Sequence, residues 1–226
     1  ERRAFLDWGL FHVEQESREI SLKYNKVLRQ RNEALRSMDK SHDRWTEELA
    51  SIGQDLSKMR EKYVSDIKAY LDQTRQHIMP KYDLNFVYYR GWDEQKSLLE
   101  ALQEKKDRDF ERGYTSQGPQ SADLKIYLDE TEAHRICSRG QQKLIANIML
   151  LSQSKGFFEV KKYPSIILVD DLSAELTLEM QEKILERLFE TKSQIFLTAL
   201  NDSVLADILS EMKASVFHVE HGEIVQ

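Results

Sequence analysis

The sequence predicts an α/β domain with a parallel sheet, joined to an α-helical antiparallel coiled-coil arm. Three observations carry this. From Trp45, the residues Leu49, Ile52, Leu56, Met59 and Tyr63 recur in steps of four and three, the seam of a coiled coil. Ile166-Ile-Leu-Val169 is a solid apolar run of strand length that ends in two carboxylates. Further apolar runs alternate with amphipathic helical stretches toward the end of the chain, as in a parallel sheet covered on both faces.

The bulk properties agree. The 226 residues suffice for one core plus a helical appendage. Hydrophobic residues make up 40% and charged residues 32%, with only 8 Gly and 3 Pro, a mixture that excludes a disordered or all-β chain. The net charge of -6 means that any contact with nucleic acid must come from a local basic patch or from a surface outside this chain. The single cysteine, Cys137, excludes an internal disulfide framework and fits a reducing, cytoplasmic setting. No apolar run has the length of a membrane span. The chain opens on Glu1 without an initiator Met or a secretory pattern, and the expectation is a piece cut from a longer protein.

The elements follow in order. Residues 1–12 hold Phe5, Leu6, Trp8, Leu10 and Phe11, a cluster that needs a core partner, for which a segment upstream of the cut is one candidate. Residues 14–36 read as a helix with Ile20, Tyr24, Val27, Leu28 and Leu35 on one face. After a polar break at 38–43, a second helix runs to Pro80, which stops it. At 1.5 Å per residue it is roughly 50 Å long, an arm that cannot fold back into a small globule. Beyond it come a strand at 82–89, a helix at 94–112, a Gly/Pro-punctuated loop at 113–123 and a short strand at 124–128. A helix opens near Ser138. Then follow a strand at 165–169, a helix at 177–191, a strand at 194–198, a helix at 202–212 and a strand at 215–219.

Two segments could carry chemistry. Asp170 and Asp171 emerge from the C-terminal end of a buried strand, where ligands bind in open α/β sheets. A Walker B element has this form, the first acid holding Mg²⁺ through water and the second positioning or deprotonating the attacking water. Two turn-forming aspartates after a buried strand would read the same way. Ser138-Arg-Gly-Gln-Gln-Lys143 precedes the apolar run Leu144–Leu151. Ser138 is a fitting N-cap, and the first turn could receive a phosphate or simply be polar.

Taken together, the two segments resemble the RecF family of ABC-type DNA-repair ATPases. Ser138–Lys143 is similar to that family's version of the ABC signature, and Asp170-Asp171 to its Walker B. Leu172-Ser173-Ala174-Glu175-Leu176 is similar to its D-loop. Phe5–Val13, Gln30-Arg31-Asn32, Tyr89-x-Gly-Trp92 and Gly113-x-Thr115-x-x-Gly118-Pro119 resemble further landmarks, in the right order along essentially the whole chain. The resemblance implies the C-terminal portion of an ABC-type ATPase, with 1–12 the end of an N-terminal ATPase subdomain, 13–81 the arm and 82–226 the signature and Walker B subdomain. It implies catalytic Asp170 and Asp171, with Asp170 holding Mg²⁺ through water, and D-loop residues Ser173 and Glu175. Thr198 stands in the place of the ABC switch histidine. Ser138, Arg139, Gly140, Gln141 and Gln142 would contact the nucleotide of a second subunit. The intact protein would then be an ATP-dependent homodimer that clamps DNA at single/double-strand junctions. It would act with RecO and RecR to load RecA in recombination, gap repair and the SOS response.

Three positions depart from the family's pattern. Gln120 and Ser121 stand where it has His and Arg, and Thr177 stands where its D-loop ends in Asp. No Gly-x-x-x-x-Gly-Lys-[Ser/Thr] loop occurs, so on the order of a hundred residues of an ATPase domain are expected elsewhere, and this chain alone is expected neither to bind ATP tightly nor to hydrolyse it. Two other readings compete. One is a long-coiled-coil SMC-like ATPase, disfavoured by the short arm; the other is a non-catalytic helical hairpin that binds a protein. Among lesser candidates, His218 and His221 have the spacing of a metal pair but no third ligand nearby. Cys137 reads as a small buried residue. Arg29, Arg31, Arg36, Lys40 and Arg44 could touch phosphates, or form a solvated face among Glu33, Asp39 and Asp43.

Overall fold

A computed structural model describes residues 2–39, 42–199, 210 and 214–225. The chain divides into two compact units, residues 1–164 and 165–226. That seam falls inside the stretch 82–226, which the sequence reading treats as one subdomain.

In the first unit the cluster at the chain start is a helix, α1 (Arg2–Val13). Its buried Phe5, Leu6 and Leu10 find their partners within this chain, since α1 packs on α3 (His42–Ile78) and α7 (Arg139–Lys161). The approach to α3 is close at Gly9, where an added Cβ would lie 1.9 Å from Tyr63 Oη. Helix α2 (Ser17–Arg36) runs antiparallel to α3: Arg31 bonds Thr46, while Tyr24 lies against Gly53. On α3, Leu49, Ile52, Leu56, Tyr63, Ile67 and Leu71 are buried, with Trp45 and Met59 half-buried. Beyond the stretch paired with α2, α3 packs on α7, where Ser152 Oγ donates to Tyr70 O at 3.1 Å. The 37-residue α3, about 56 Å long at 1.5 Å per residue, is therefore covered along much of its length.

The expected helix at 94–112 is two, α4 (Leu98–Glu104) and α5 (Lys106–Arg112). Ser97 sets the start by a reciprocal capping box with Glu100, and Lys105 leaves helical geometry between the two. Strands β1 (Leu84–Tyr89) and β2 (Asp123–Leu128) pair antiparallel, from Leu84 opposite Leu128 to Tyr89 opposite Asp123, and β3 (Thr131–Glu132) adds to β2. In β2, buried and half-buried residues alternate, as in a sheet with one face on the core. The short α6 (Ala133–Ile136) leads to α7.

The second unit holds the parallel pair. β4 (Ile166–Val169) lies beside β5 (Gln194–Leu197) with Ile166 opposite Gln194 and Val169 opposite Leu197, and α8 (Leu178–Glu190) joins them. The expected covering of both faces is not what these strands show: Leu168 is 76% exposed, and Ile166 and Phe196 are exposed beside it. The strand expected at 215–219 is instead β6 (His218–Glu220), in an antiparallel hairpin with β7 (Glu223–Val225). His221 and Gly222 between them both have positive φ, as a primed two-residue turn requires, so the chain reverses instead of continuing a parallel layer. The helix expected at 202–212 lies outside the described residues, save for Ser210. Among the described residues, no helix is long and apolar enough to cross a membrane.

Candidate functional site

Asp170 follows β4 directly, and the end of β5 brings Thr198 beside it. Thr198 Oγ1 donates to Asp170 Oδ1 at 2.7 Å and accepts the Asp171 N–H at 2.9 Å. Two backbone bonds fix the same place: Thr198 N–H donates to Val169 O at 2.9 Å, and Leu172 N–H to Thr198 O at 3.2 Å. Asp171 has φ 45°, in the left-handed region that non-glycine residues seldom occupy. Ser173 Oγ donates to its Oδ1 at 2.9 Å. Glu175, further along the same loop, is also left-handed at φ 63°. Asp170 and Thr198 are exposed, and Asp171 and Ser173 half-exposed, so the carboxylates face water at the C-terminal end of a parallel strand pair.

The segment Ser138–Lys143 lies in the other unit and opens α7. Ser138 N–H donates to Gln141 Oε1 at 2.9 Å, and Gln141 N–H donates to Ser138 Oγ at 3.3 Å, a reciprocal capping box. Gln142 Nε2 donates to Cys137 O at 3.0 Å. Ser138, Arg139 and Gln142 are exposed, with Gly140 and Gln141 half-buried. Cys137 is half-buried rather than buried as expected, and that partial burial pushes its thiol up. Thr177 occupies the N-cap position of α8 but makes no side-chain cap bond.

Gln120 and Ser121 fill their places with neutral bonds. Gln120 Nε2 donates to Thr115 O at 3.2 Å and to Gln117 O at 2.9 Å, and its Oε1 accepts from the Tyr24 hydroxyl. Ser121 Oγ donates to Ser116 O at 3.2 Å. Arg60 and Arg3 donate to the carbonyls of Pro119 and Gln120. The turn Pro119–Ser121 is thus held from α1, α2 and α3 together.

Of the cations expected near the arm's tip, Arg31 is no phosphate ligand. It is wholly buried, with Nη1 donating to Asp109 Oδ2 at 2.9 Å and Thr115 Oγ1 at 2.7 Å, and Nε to Thr46 Oγ1 at 2.9 Å. Asn32 accepts from the Thr115 N–H at 2.8 Å. Arg31 and Asn32 therefore meet Thr46, Asp109 and Thr115 in one polar knot, which their separation in sequence hid. Arg29, Arg36 and Arg44 are exposed, and Lys40 lies outside the described residues. Among the described residues no group of three or more His, Cys, Asp or Glu could hold a metal, His218 and His221 included.

No family model matches the chain. In fold it is similar to solved structures of the recombination mediator RecF in the RecFOR pathway. With the ATP-bound form the TM-score is 0.77 at 22% identity, over 89% of this chain and 58% of that one. With the ATPγS-bound form it is 0.78 at 21% identity, over 99% and 62%. The fold is thus that of these RecF structures. Curated relatives are similar over the whole of this chain. The curated DNA replication and repair protein RecF of Chromohalobacter salexigens is 36% identical over 99% of this chain, and that of Pseudomonas aeruginosa 37% identical over all of it. The Vibrio cholerae protein is 33% identical, again over the full chain. The chain is thus similar along its whole length to RecF proteins and spans 62–63% of the length of these relatives.

Proposed function

We propose that this chain carries the arm, signature and Walker B parts of an ATP-driven DNA clamp that acts in replication and recombinational repair. The observation that carries the reading is the pair Asp170-Asp171 at the end of a parallel strand, oriented by Thr198 and Ser173. The names of the relatives supply the DNA-repair setting.

The donor set around Asp170 consists of carboxylate and hydroxyl oxygens, which suits Mg²⁺ held through waters and phosphate oxygens. When bound, that ion would neutralise charge developing on the transferred phosphoryl group. Asp170 is the residue to hold its water shell. Asp171 is the residue to orient the attacking water and accept its proton, with Ser173 fixing the carboxylate. Ser138–Gln142 offer the capped N-terminus of a 23-residue helix, which favours negative charge within its first turn. In this reading they close on the nucleotide of a second subunit, so that ATP holds the homodimer on DNA at single/double-strand junctions, with RecO, RecR and RecA as partners. Residues 1–12, 13–81 and 82–226 then correspond to the end of one ATPase subdomain, the arm and a second subdomain.

The test is Asp171→Asn in the full-length protein. ATP binding should persist while hydrolysis falls at least ~100-fold, trapping the ATP-bound dimer in sedimentation. Unchanged turnover would remove Asp171 from the role of catalytic base. The 226-residue chain by itself should show no micromolar Mg-ATP affinity in calorimetry.

A further inference from the structure

We propose that Thr198 is a positioning residue whose one hydroxyl couples the Asp170 carboxylate to the Asp171 backbone. What happens at the first acid is then felt at the second. This rests on the reading of Asp170-Asp171 as the metal- and water-handling pair.

A threonine hydroxyl has one proton to give and two lone pairs. Here the proton goes to Asp170 Oδ1, and a lone pair receives the Asp171 N–H. The hydroxyl itself is held in place. Thr198 N–H and C=O are bonded to Val169 and Leu172, one on each side of the two aspartates, so the residue can neither slide along the strand nor turn away. Asp170 is thereby given a preferred carboxylate orientation by a neighbour on β5. A carboxylate has roughly four lone-pair sites, so this single bond orients the group without exhausting it as an acceptor.

The second half of the coupling is conformational. Left-handed backbone at a non-glycine residue costs about 1–3 kcal/mol and persists only when its surroundings over-determine it. For Asp171 at φ 45°, those surroundings include the Thr198 Oγ1 acceptor on its N–H, the Ser173 Oγ donor on its carboxylate and the Ala174 N–H on its carbonyl. Thr198 is exposed, so its side chain is not there to fill a core. What it contributes at this place is the hydroxyl, and valine, which keeps the β-branched shape, removes only that.

Two substitutions and two readouts test this. In the 226-residue chain, hydrogen exchange at the Asp171 amide should speed up ~10-fold in Thr198→Val, the loss of one net hydrogen bond, and stay as in wild type in Thr198→Ser. In the full-length protein, Thr198→Val should raise the Mg²⁺ concentration for half-maximal ATPase ~10-fold and lower kcat, while the KM for ATP stays within about twofold. Serine should restore both. A residue that merely supported the fold would not separate Mg²⁺ dependence from ATP affinity, nor be rescued by the shorter hydroxyl. If valine leaves both the Asp171 exchange and the Mg²⁺ dependence unchanged, the coupling is wrong while the Walker B reading stands. If Asp170→Asn also leaves the Mg²⁺ dependence unchanged, the Walker B reading itself falls, and the coupling with it.

Discussion

Residues 2–164 place an Arg–Asp pair entirely out of water, whereas the unit from Ser165 onward keeps its two adjacent aspartates at the surface. Arg31 and Asp109 are 0% exposed, and Asp109 Oδ1 also accepts from the Ser116 N–H at 3.0 Å. Their charges are consumed in fixing α2, α3, α5 and the loop at 113–118 to one another. Asp170 and Asp171 have short-range partners on one side and solvent on the other, and Asp171 has a left-handed backbone. The difference separates two uses of charge. A buried, multiply bonded ion specifies geometry and is unavailable to a ligand. An exposed one, held by a single oriented hydroxyl, keeps lone pairs free for chemistry.

Arg31→Ala should break the first half of that contrast with the largest effect. Removing one member of a fully buried pair leaves the other charge uncompensated, at a cost of about 3–5 kcal/mol. Urea denaturation should show it, with the buried Trp92 as the fluorescent reporter of the first unit. The double substitution Arg31→Met/Asp109→Leu should recover most of the loss, because no lone charge then remains in the core. If Arg31→Ala costs under about 1 kcal/mol, the knot is not what holds the loop.

The contrast also shows what a sequence can and cannot disclose. The α2–α3 pairing was legible because burial repeats every three or four residues, so Leu49, Ile52 and Leu56 announce their face locally. Asp170-Asp171 was legible because a solid apolar run of strand length must end somewhere, and carboxylates at its C-terminal end are a local signal. Ser138 was legible as an N-cap for the same reason, while its reciprocal bonding with Gln141 is seen only in the structure. Arg31 was not, because its partner Asp109 is 78 residues away and an arginine on an amphipathic helix ordinarily faces water. The bond from Thr198 to Asp170 depends on the register between two strands, with 28 residues separating donor and acceptor. The hairpin at His221-Gly222 was missed because histidine is a weak turn signal beside Asn or Asp, and its positive φ had to be seen in the backbone.

A smaller effect sharpens the account of the buried polar side. Tyr63 lies between α1 and α7, its hydroxyl accepting from Gln153 Nε2 at 2.8 Å, and Gln153 also donates to Phe5 O at 2.9 Å. Burial pushes the phenol up to about 12, opposed in part by the Gln153 bond. The neutral form is favoured in the folded chain, so its contribution is full below the unfolded pKa of about 10. It is lost as pH rises through about 12, because the unfolded chain releases the proton first. Stability should therefore fall by about 2–3 kcal/mol across that window, and Tyr63→Phe should flatten the slope. Buried Tyr24, also pushed up by burial, should leave a second alkaline slope that Tyr63→Phe does not remove. An unchanged slope in Tyr63→Phe would show that this hydroxyl is not desolvated in solution.

The smallest expected effect tests the exposed side and compares one residue type in the two units. Leu6 on α1 is 0% exposed and Leu168 on β4 is 76% exposed. Truncating a buried leucine removes its transfer energy and leaves a cavity, so Leu6→Ala should cost about 2–5 kcal/mol. Leu168 has little to lose in the isolated chain, and Leu168→Ala should change stability by no more than about 0.5 kcal/mol. Leu168 nonetheless lies opposite Phe196 in the parallel ladder, with Ile166 two residues earlier on the same face of β4. A parallel sheet ordinarily has both faces covered, so the same substitution made in the full-length protein provides the sharper measurement. If other parts of that protein cover this face, Leu168→Ala should there rise into the range expected for Leu6→Ala. If the cost stays near zero in both settings, the apolar face is exposed in the whole protein as well, and the two units differ in kind and not merely in what surrounds them.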